Sequence, residues 1–264
     1  MYQLNDSAID GRGVGWFHEG DFDDWSTEAL TYRLSEGVLT LEDAGIAPQK
    51  GGPPLPDFDL GFEPRADDCL LVIDVQVDFM PGGALAVGGA TEVIPLVNAL
   101  TEKFECVVLS QDWHPAGHSS FASSHAGADP FTVTDMPYGP QVLWPDHCIQ
   151  GSGGAAFHPE LNTDRADAVI RKGMNPAVDS YSAFFENDKK TSTGLAGFLQ
   201  GRGCTDLTMV GLATDYCVAW SALDGAAQGF RVSTILSACR AIDLDGSLDA
   251  ALSDMRAAGI DLSA

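Results

Sequence analysis

The sequence predicts an α/β fold, a three-layer sandwich in which helices cover both faces of a mainly parallel sheet of roughly six strands. Two observations lead to this prediction. From residue 67 onward, short and nearly continuous apolar runs alternate with stretches of helical spacing. Such runs are typical of strands buried on both faces, and strands alternating with helices form parallel sheets. The first 66 residues lack this pattern, so we expect an N-terminal extension over 1–66 and one α/β domain over 67–264.

The extension is expected to be partly helical and then rich in proline and glycine. In "DDWSTEALTYRLSEG", Ser26 is a candidate N-cap and Gly37 a candidate helix end. The later stretch "APQKGGPPLPDFDLGFEPRAD" has the composition of a linker or an extended wrapping segment.

The strands and helices of the α/β domain follow from apolar runs and from spacing. The predicted strands are 69–75 ("CLLVIDV"), 106–112, 168–173, 206–213, 231–239 and a short final strand within 260–264. Helical spacing predicts helices over 91–105, 193–203, 214–230 and 247–259. Proline at position 95 fits the first turn of its helix.

The composition excludes some classes of partner. Acidic residues number 38 against 14 basic ones, and the net charge is −24, so nucleic acid and anionic membranes are poor partners. A high-salt host and an ordinary acidic enzyme both fit this charge. The six cysteines form no C-x-x-C pair, and no apolar run approaches the roughly 18 residues of a membrane span. We therefore expect a reduced, cytoplasmic protein without secretory signal, membrane contact or disulfide framework.

Reactive side chains follow the predicted strands at their carboxyl ends, where ligands of open parallel sheets bind. Asp74 follows the first strand, Lys172 ends the third, and Cys217 follows the fourth after a short turn. A helix N-terminus would stabilise the Cys217 thiolate, Asp74 could accept its proton, and Lys172 could hold the ion pair. Taken singly, Asp74 fits a helix cap and Lys172 a surface charge equally well.

A second group of polar residues suits a divalent metal. In "SQDWHPAGHSSFA", Asp112 and His114 are two apart on an extended segment, so both can face the same way. His118 follows after a turn, and His147 arrives in "LWPDHC". A carboxylate with imidazoles suits Zn, Mn or Fe with an open coordination position. A hydrogen-bonded loop pair is the alternative for Asp112 and His114 alone.

Five segments together resemble the nicotinamidase/pyrazinamidase group of the isochorismatase-like cysteine hydrolases. They are "LLVIDVQVDFMPGGALAV", "LSQDWHPAGHSSFA", "LWPDHCIQGSGGAAFHPEL", "VIRKGMNPAVDSYSAF" and "MVGLATDYCVAWSALDGAAQGF". The resemblance covers residues 69 to about 260 and implies an isochorismatase-like, Rossmann-like sheet. Related amidases share the segments with Asp, Lys and Cys, whereas "DWHP" and "LWPDHC" resemble nicotinamidases in particular. One departure is Val77, where many relatives have Asn.

The resemblance implies a role for each matching residue. Asp74 would be the acid/base, Lys172 its cationic partner and Cys217 the nucleophile. The backbone N–H groups of Ala213 and Cys217 would form the oxyanion hole, next to a cis peptide bond between Leu212 and Ala213. One divalent ion, Zn before Fe or Mn, would be held by Asp112, His114 and His147, with His118 as a further candidate. The flat substrate would lie against Phe79, Trp144 and Tyr181.

The expected activity is hydrolysis of nicotinamide, and also of pyrazinamide, through a cysteine thioester, as in NAD salvage. The partner would be a small amide, and a homo-oligomer is compatible with the sequence. Three alternatives stay open at this point: a related cysteine amidohydrolase acting on another small amide, a metallohydrolase with Cys217 as bystander, and a catalytically silent binding protein.

Overall fold

The computed structural model describes residues 12–17, 28–35, 38–42 and 63–263. The chain divides into two compact units, Met1–Pro54 and Leu55–Ala264. Each unit is described below by itself.

The N-terminal unit contains three antiparallel strands. They are β1 (Arg12–Phe17), β2 (Glu28–Ser35) and β3 (Val38–Glu42), in the order β1-β2-β3. The expected helix in this stretch is therefore wrong. Leu30, Tyr32 and Leu34 recur every second residue, which is the period of a strand. Leu30 and Leu34 are also four residues apart, which is close to one helical turn, so the sequence fits both structures. Aromatic and β-branched residues between 31 and 40 favour the strand. Ser26, Gly37 and residues 47–62 of the Pro/Gly-rich stretch lie outside the described residues.

The second unit is built on a six-stranded parallel sheet, as the sequence predicts. Its strands are β4 (Asp68–Ile73), β5 (Cys106–Asp112), β8 (Ala168–Lys172), β9 (Asp206–Leu212), β10 (Arg231–Arg240) and β11 (Asp261–Ser263). They lie in the order β11-β10-β9-β4-β5-β8, and every neighbouring pair is parallel.

Helices cover both faces of this sheet, which confirms the three layers. Helix α1 (Val93–Thr101) contributes to the core on one face, together with Leu70 and Val72 of β4. The alternate residues of β4, among them Leu71 and Ile73, face the other core. That core contains α2 (Leu195–Gly201), α3 (Ala219–Ala227) and α4 (Ser247–Ala257). Each predicted helix is present but shorter than its apolar pattern. Within the described ranges, no helix has the length and apolar character to cross a bilayer.

A separate antiparallel hairpin was not expected from the sequence. It consists of β6 (Val133–Met136) and β7 (Gly139–Val142). The turn residues Pro137, Tyr138 and Gly139, with Gly139 at φ 121°, are its sequence signal. Each of the two strands has only four residues, and alternate residues of β6 are exposed. Neither strand therefore forms an apolar run.

Candidate active site

Neighbouring strands bring the candidate catalytic residues to one edge of the sheet. The chain continues from β4 to β5 and β8 on one side, and then to β9, β10 and β11 on the other side of β4. This makes the boundary between β4 and β9 the topological switch point, where α/β sheets bind their ligands. Asp74 directly follows β4, and Cys217 lies one short turn beyond β9. Asp112 and Lys172 are the last residues of β5 and β8.

Lys172 lies at the centre of this cluster. Its Nζ is 2.9 Å from Asp74 Oδ2, 3.1 Å from Asp112 Oδ1 and 3.4 Å from Cys217 Sγ. It also donates a hydrogen bond of 2.9 Å to the carbonyl of Ser180. Burial alone would lower the pKa of Lys172, but the Asp112 and Asp74 carboxylates outweigh burial and raise it well above its ordinary value. The ammonium group therefore stays charged and joins the predicted base and nucleophile.

The two oxygens of the Asp74 carboxylate have different partners. Oδ1 accepts a hydrogen bond of 2.7 Å from Ser110 Oγ. Oδ2 pairs with the Lys172 ammonium at 2.9 Å and has no partner of the kind that Ser110 provides for Oδ1. Burial raises the pKa of Asp74, although the charge of Lys172 opposes the shift. Oδ2 is therefore suited to take up and return a proton.

Cys217 is buried and differs from the sequence expectation in its acidity. It lies in a single π-helical turn, Thr214–Val218, that precedes α3, so it is not in the first turn of an α-helix. Burial raises the pKa of the Cys217 thiol well above its usual value, Lys172 opposes this shift, and Asp74 and Asp112 add to it. The expected lowering of this pKa is therefore wrong for the site without substrate. The resting nucleophile is a thiol that needs a base.

The segment between β9 and Cys217 has the backbone form that the family resemblance implies. The peptide bond between Leu212 and Ala213 is cis. Ala213 and Cys217 both line the same cleft, with Ala213 only 4% exposed. Their amides are the candidates for holding a developing oxyanion.

Asp112, His114 and His147 turn their free electron pairs toward one point. The Nδ1 atoms of His114 and His147 lie 3.0 and 2.8 Å from the carbonyls of Gly173 and Pro145. A carbonyl only accepts, so each Nδ1 carries a proton and each neutral ring has a lone pair at Nε2. These two Nε2 atoms lie 3.0 and 3.3 Å from Asp112 Oδ2.

Three electron-pair donors that face each other repel unless a cation lies among them. Two imidazoles and a carboxylate form a donor set that fits a divalent ion such as Zn²⁺. Protonation of His114 is the competing solution: burial lowers its pKa, but the Asp112 carboxylate outweighs burial and raises it. The residues present therefore fit a metal, and protons compete with it.

His118 is differently engaged. Its Nδ1 accepts a hydrogen bond of 3.1 Å from the Ser120 amide, so its Nε2 carries the proton and donates to the Asn175 carbonyl at 2.7 Å. The His118 and His114 rings are 4.5 Å apart. In this arrangement both nitrogens of His118 have protein partners. A ligand atom of His118 also lies within 4.8 Å of ligand atoms of His114 and Asp179, a group separate from Asp112, His114 and His147.

Aromatic side chains form the walls of the cleft above Cys217. Phe79, Trp144 and Tyr181, which the resemblance implies, all line it. The Tyr181 hydroxyl accepts hydrogen bonds from Trp144 Nε1 at 3.1 Å and from Gln141 Nε2 at 2.7 Å. The water-accessible volume of the cleft is about 20 Å³, enough for a water molecule or two. A flat ring must therefore displace the side chains slightly as it enters.

Other residues of the site were not expected from the sequence. Gln76 fixes Asp112, since its Nε2 donates to the Asp112 carbonyl at 2.8 Å and its Oε1 accepts from the Asp112 amide at 2.7 Å. Asp179 Oδ1 lies 3.9 Å from His114 Nε2. Tyr216 stacks edge-on against Trp144 at 4.9 Å. The cleft is also lined by Leu85 and Ile242. Of these residues, Tyr216 alone could have been suspected from the sequence, because it directly precedes the candidate nucleophile in "TDYC".

The chain is similar to known proteins in sequence and in fold. The family model described as "Isochorismatase domain" matches residues 68–264. A nicotinamidase of Acinetobacter baylyi is 51% identical over 197 residues, which are 74% of this chain and 92% of that protein. Among solved structures, a nicotinamidase/pyrazinamidase of Acinetobacter baumanii has a TM-score of 0.75 at 51% identity, covering 75% of this chain and 96% of that one. A pyrazinamidase of Pyrococcus horikoshii in complex with zinc has a TM-score of 0.61 at 34% identity, covering 74% and 98%.

Proposed function

Because this chain belongs to the isochorismatase domain family, we propose that it is a nicotinamidase that hydrolyses nicotinamide to nicotinate and ammonia. Pyrazinamide, which carries the same carboxamide on a similar flat ring, is a second substrate. One observation carries the proposal. The Lys172 ammonium joins Asp74 and Cys217, and the donors of Asp112, His114 and His147 line the same cleft.

Asp74 and Cys217 perform the first half of the proposed reaction. Asp74 Oδ2 accepts the thiol proton, and the thiolate pairs with the Lys172 ammonium at 3.4 Å. The sulfur then attacks the carboxamide carbon, and the negative oxygen is held by the Ala213 and Cys217 amides. Asp74 returns its proton to the leaving nitrogen, so that ammonia departs and a thioester remains.

Water completes the reaction from the same side. Asp74, again a carboxylate, takes a proton from water, and the hydroxide oxygen adds to the thioester carbon. The second tetrahedral intermediate collapses with release of the Cys217 sulfur, which recovers the proton from Asp74. The products are the resting thiol and nicotinic acid, which gives up its proton to solvent or ammonia and leaves as nicotinate, with the charge of Lys172 unchanged throughout.

Phe79, Trp144 and Tyr181 would flank the ring, and the metal donors would lie at its edge. Asp112, His114 and His147 would hold one divalent ion, for which Zn²⁺ is our first assignment, with Fe²⁺ or Mn²⁺ as alternatives. When bound, this ion would offer the ring nitrogen a coordination position and so orient the carboxamide. His118 would contribute by packing against His114 rather than as a ligand.

The setting that fits this activity is NAD salvage in a reducing cytoplasm. Six described cysteines are free and buried, which fits such a compartment. The partner would be the small amide alone, without nucleic acid or membrane, and a homo-oligomer is compatible with the assignment.

Ammonia release by the purified protein tests the proposal. We expect steady ammonia and nicotinate production from nicotinamide, and a strong decrease after treatment with a chelator that zinc addition reverses. A protein that hydrolyses other small amides but leaves nicotinamide intact would contradict the substrate assignment. Acetamide and benzamide are measured alongside, with wild type and with Cys217→Ala. Metal-dependent hydrolysis of any of these amides that persists in Cys217→Ala would mean that a metal-activated water, and not Cys217, attacks that amide.

A further inference from the structure

Three cysteines meet at the end of the sheet opposite the candidate active site. Cys69 lies in the first half of β4, Cys106 begins β5, and Cys204 precedes β9. Cys69 and Cys106 are directly paired in the parallel register of β4 and β5. Asp74 follows at the other end of β4, about 16 Å away at ~3.3 Å per residue. The proposed reaction uses none of these three thiols.

The three sulfur atoms form one compact group. All of them lie within 4.8 Å of one another. Cys69 is fully buried, while Cys106 and Cys204 are 4% and 6% exposed, so the group is closed to bulk water but near the surface at Cys204. Packing alone explains a buried cysteine, but it does not require three from distant parts of the chain to point their sulfurs at one another.

The three thiols also influence one another's acidity. Hydrogen bonding from Cys69 is the main cause that lowers the pKa of the Cys204 thiol to about 6; burial opposes this shift, while Cys106 and the charge of Arg202 support it. Hydrogen bonds to Cys106 and Cys204 raise the pKa of Cys69. These opposite shifts reflect the close approach of the three sulfur atoms. The Arg202 guanidinium reaches Cys106 and is paired with Asp167.

We propose that Cys69, Cys106 and Cys204 form a binding site for a soft, thiophilic cation, with Cu⁺ as the ion that fits best. Thiolates select soft ions. Structural Zn²⁺ sites have four protein ligands, and among the described residues no fourth His, Cys, Asp or Glu joins this group. Cu⁺ accepts three sulfur ligands. Its binding forms three Cu–S bonds, releases the protons of the coordinating thiols to solvent and changes no oxidation state.

Copper titration of the whole protein tests this site. The reduced protein, with oxygen excluded, competes for Cu⁺ with a chromophoric Cu⁺ chelator, and the near-ultraviolet thiolate-to-copper absorption is recorded. We expect one tightly bound Cu⁺ per chain. Cys69→Ser, Cys106→Ser and Cys204→Ser should each weaken it by more than about 100-fold, because loss of outer contacts alone costs 10- to 100-fold at metal sites. Cys239→Ser, a change at a buried cysteine outside the group, and Cys217→Ser should keep it.

Three results would overturn the site. They are no Cu⁺ uptake by the wild-type protein, uptake unaffected by the three cluster variants, and uptake lost in Cys217→Ser instead. A cadmium titration of the wild-type protein covers the case in which a variant does not fold. Cd²⁺ on three thiolates gives a strong sulfur-to-cadmium absorption, whereas Cd²⁺ on Asp112, His114 and His147 gives none. Absence of that absorption would also reject the proposal.

The readouts of this site are independent of the proposed hydrolysis. Nicotinamide turnover by Cys204→Ser should stay within about twofold of wild type, because Cys204 lies on the far end of the sheet. Copper binding without nicotinamide hydrolysis would reject the proposed function and leave the thiol site intact, and the reverse result would do the opposite.

Discussion

Burial determines the chemistry of Cys217 at the level of single residues. The raised pKa values of Cys217 and Asp74 share one main cause, removal of their charged forms from water. Burial therefore disfavours both the thiolate and the carboxylate, and the charge of Lys172 opposes the shift in each of them. Lys172 stabilises whichever partner is negative, because it contacts both.

Replacing the nucleophile is the most direct residue-scale test. Cys217→Ala should lower kcat for nicotinamide by at least about 10⁴-fold while the protein stays folded, since only the attacking sulfur is lost. Steady-state ammonia release and thermal unfolding are measured together. The matched control is Cys239→Ala, which removes a buried thiol from the same core and should retain activity. Activity of Cys217→Ala within a few fold of wild type would reject the thioester.

The pH profile should reveal what Lys172 does. Its charge lowers the pKa of Asp74, so Lys172→Met should let burial raise that pKa further. Asp74 acts as the carboxylate and is protonated as pH falls, so the acid limb of kcat/KM should move to higher pH by at least about one unit. Lys189→Met, at an exposed lysine paired with Asp224, should leave the limb in place. An unmoved limb with only KM raised would make Lys172 a binding residue.

The metal donors can be tested by the choice of substrate. A pyridine nitrogen is a neutral ligand comparable to imidazole, so a metal on Asp112, His114 and His147 would orient nicotinamide but not benzamide. His114→Ala or chelation should therefore raise KM for nicotinamide and change the already slow hydrolysis of benzamide little. The comparison is kcat/KM for both amides on metal-loaded and metal-stripped protein. Equal losses for both would show that the metal acts on the carbonyl, on water or on the fold.

The ends of the predicted strands identified the candidate residues, but they did not predict the burial and hydrogen bonding of those residues. Asp74, Lys172 and Cys217 could be predicted to converge, because each follows an apolar run whose carboxyl end meets the others at one edge. The direction of the Cys217 pKa shift could not be predicted, since it depends on how completely the tertiary packing buries the sulfur. Gln76 was likewise hidden, because its contact to Asp112 depends on the exact pairing of two strand ends.

At the scale of elements, buried strands were predictable and exposed ones were not. Strand β5 coincides with the predicted run 106–112, because a strand buried on both faces is largely apolar, as residues 106–109 are. The exposed hairpin of β6 and β7 carries no such run. In the N-terminal unit, "EALTYRLS" fits both the strand period of two and the helical period of 3.6. It forms a strand because it pairs with β1 on one side and β3 on the other.

The junction of β9 with β4 depends on a glycine. Gly211 has φ 115°, and a Cβ there would lie 2.2 Å from the carbonyl oxygen of Ile73. Gly211→Ala should therefore push β9 from β4 and separate the strands that carry Asp74 and Cys217. We expect a loss of at least about 2 kcal/mol in the free energy of unfolding, measured in urea, and a lower kcat.

The matched control for this change is Gly197→Ala. Gly197 lies inside α2, and a Cβ there meets nothing within 4 Å. Alanine at this position should leave the unfolding free energy unchanged or raise it by up to about 1 kcal/mol through helix propensity. Equal stability of the two variants would show that the close approach of Gly211 to Ile73 is absorbed elsewhere.

On the scale of the whole molecule, both ends of the same strands carry polar groups of different character. Carboxylate and imidazole groups collect at the carboxyl ends of β4 and β5, and thiols collect at the amino ends. The rigid, fully buried strands between them keep the two groups apart. This separation is why copper binding and amide hydrolysis can be measured independently.

The N-terminal unit is the part of the molecule that the proposed chemistry does not use. Residues 74 to 217 include every proposed catalytic residue and metal ligand, and the family model begins at residue 68. Alignment to the Acinetobacter baumanii enzyme covers 96% of that chain but 75% of this one, so that enzyme does without a counterpart of the extension. A variant that begins at residue 55, where the second compact unit starts, should hydrolyse nicotinamide with kcat/KM within about twofold of the full chain, because the sheet, both cores and the cleft belong to that unit. Ammonia release and circular dichroism of both proteins are compared at equal concentration. A folded variant with more than tenfold lower kcat/KM would mean that the extension contributes to substrate binding or catalysis, and the assignment of all functional residues to 67–264 would then be wrong.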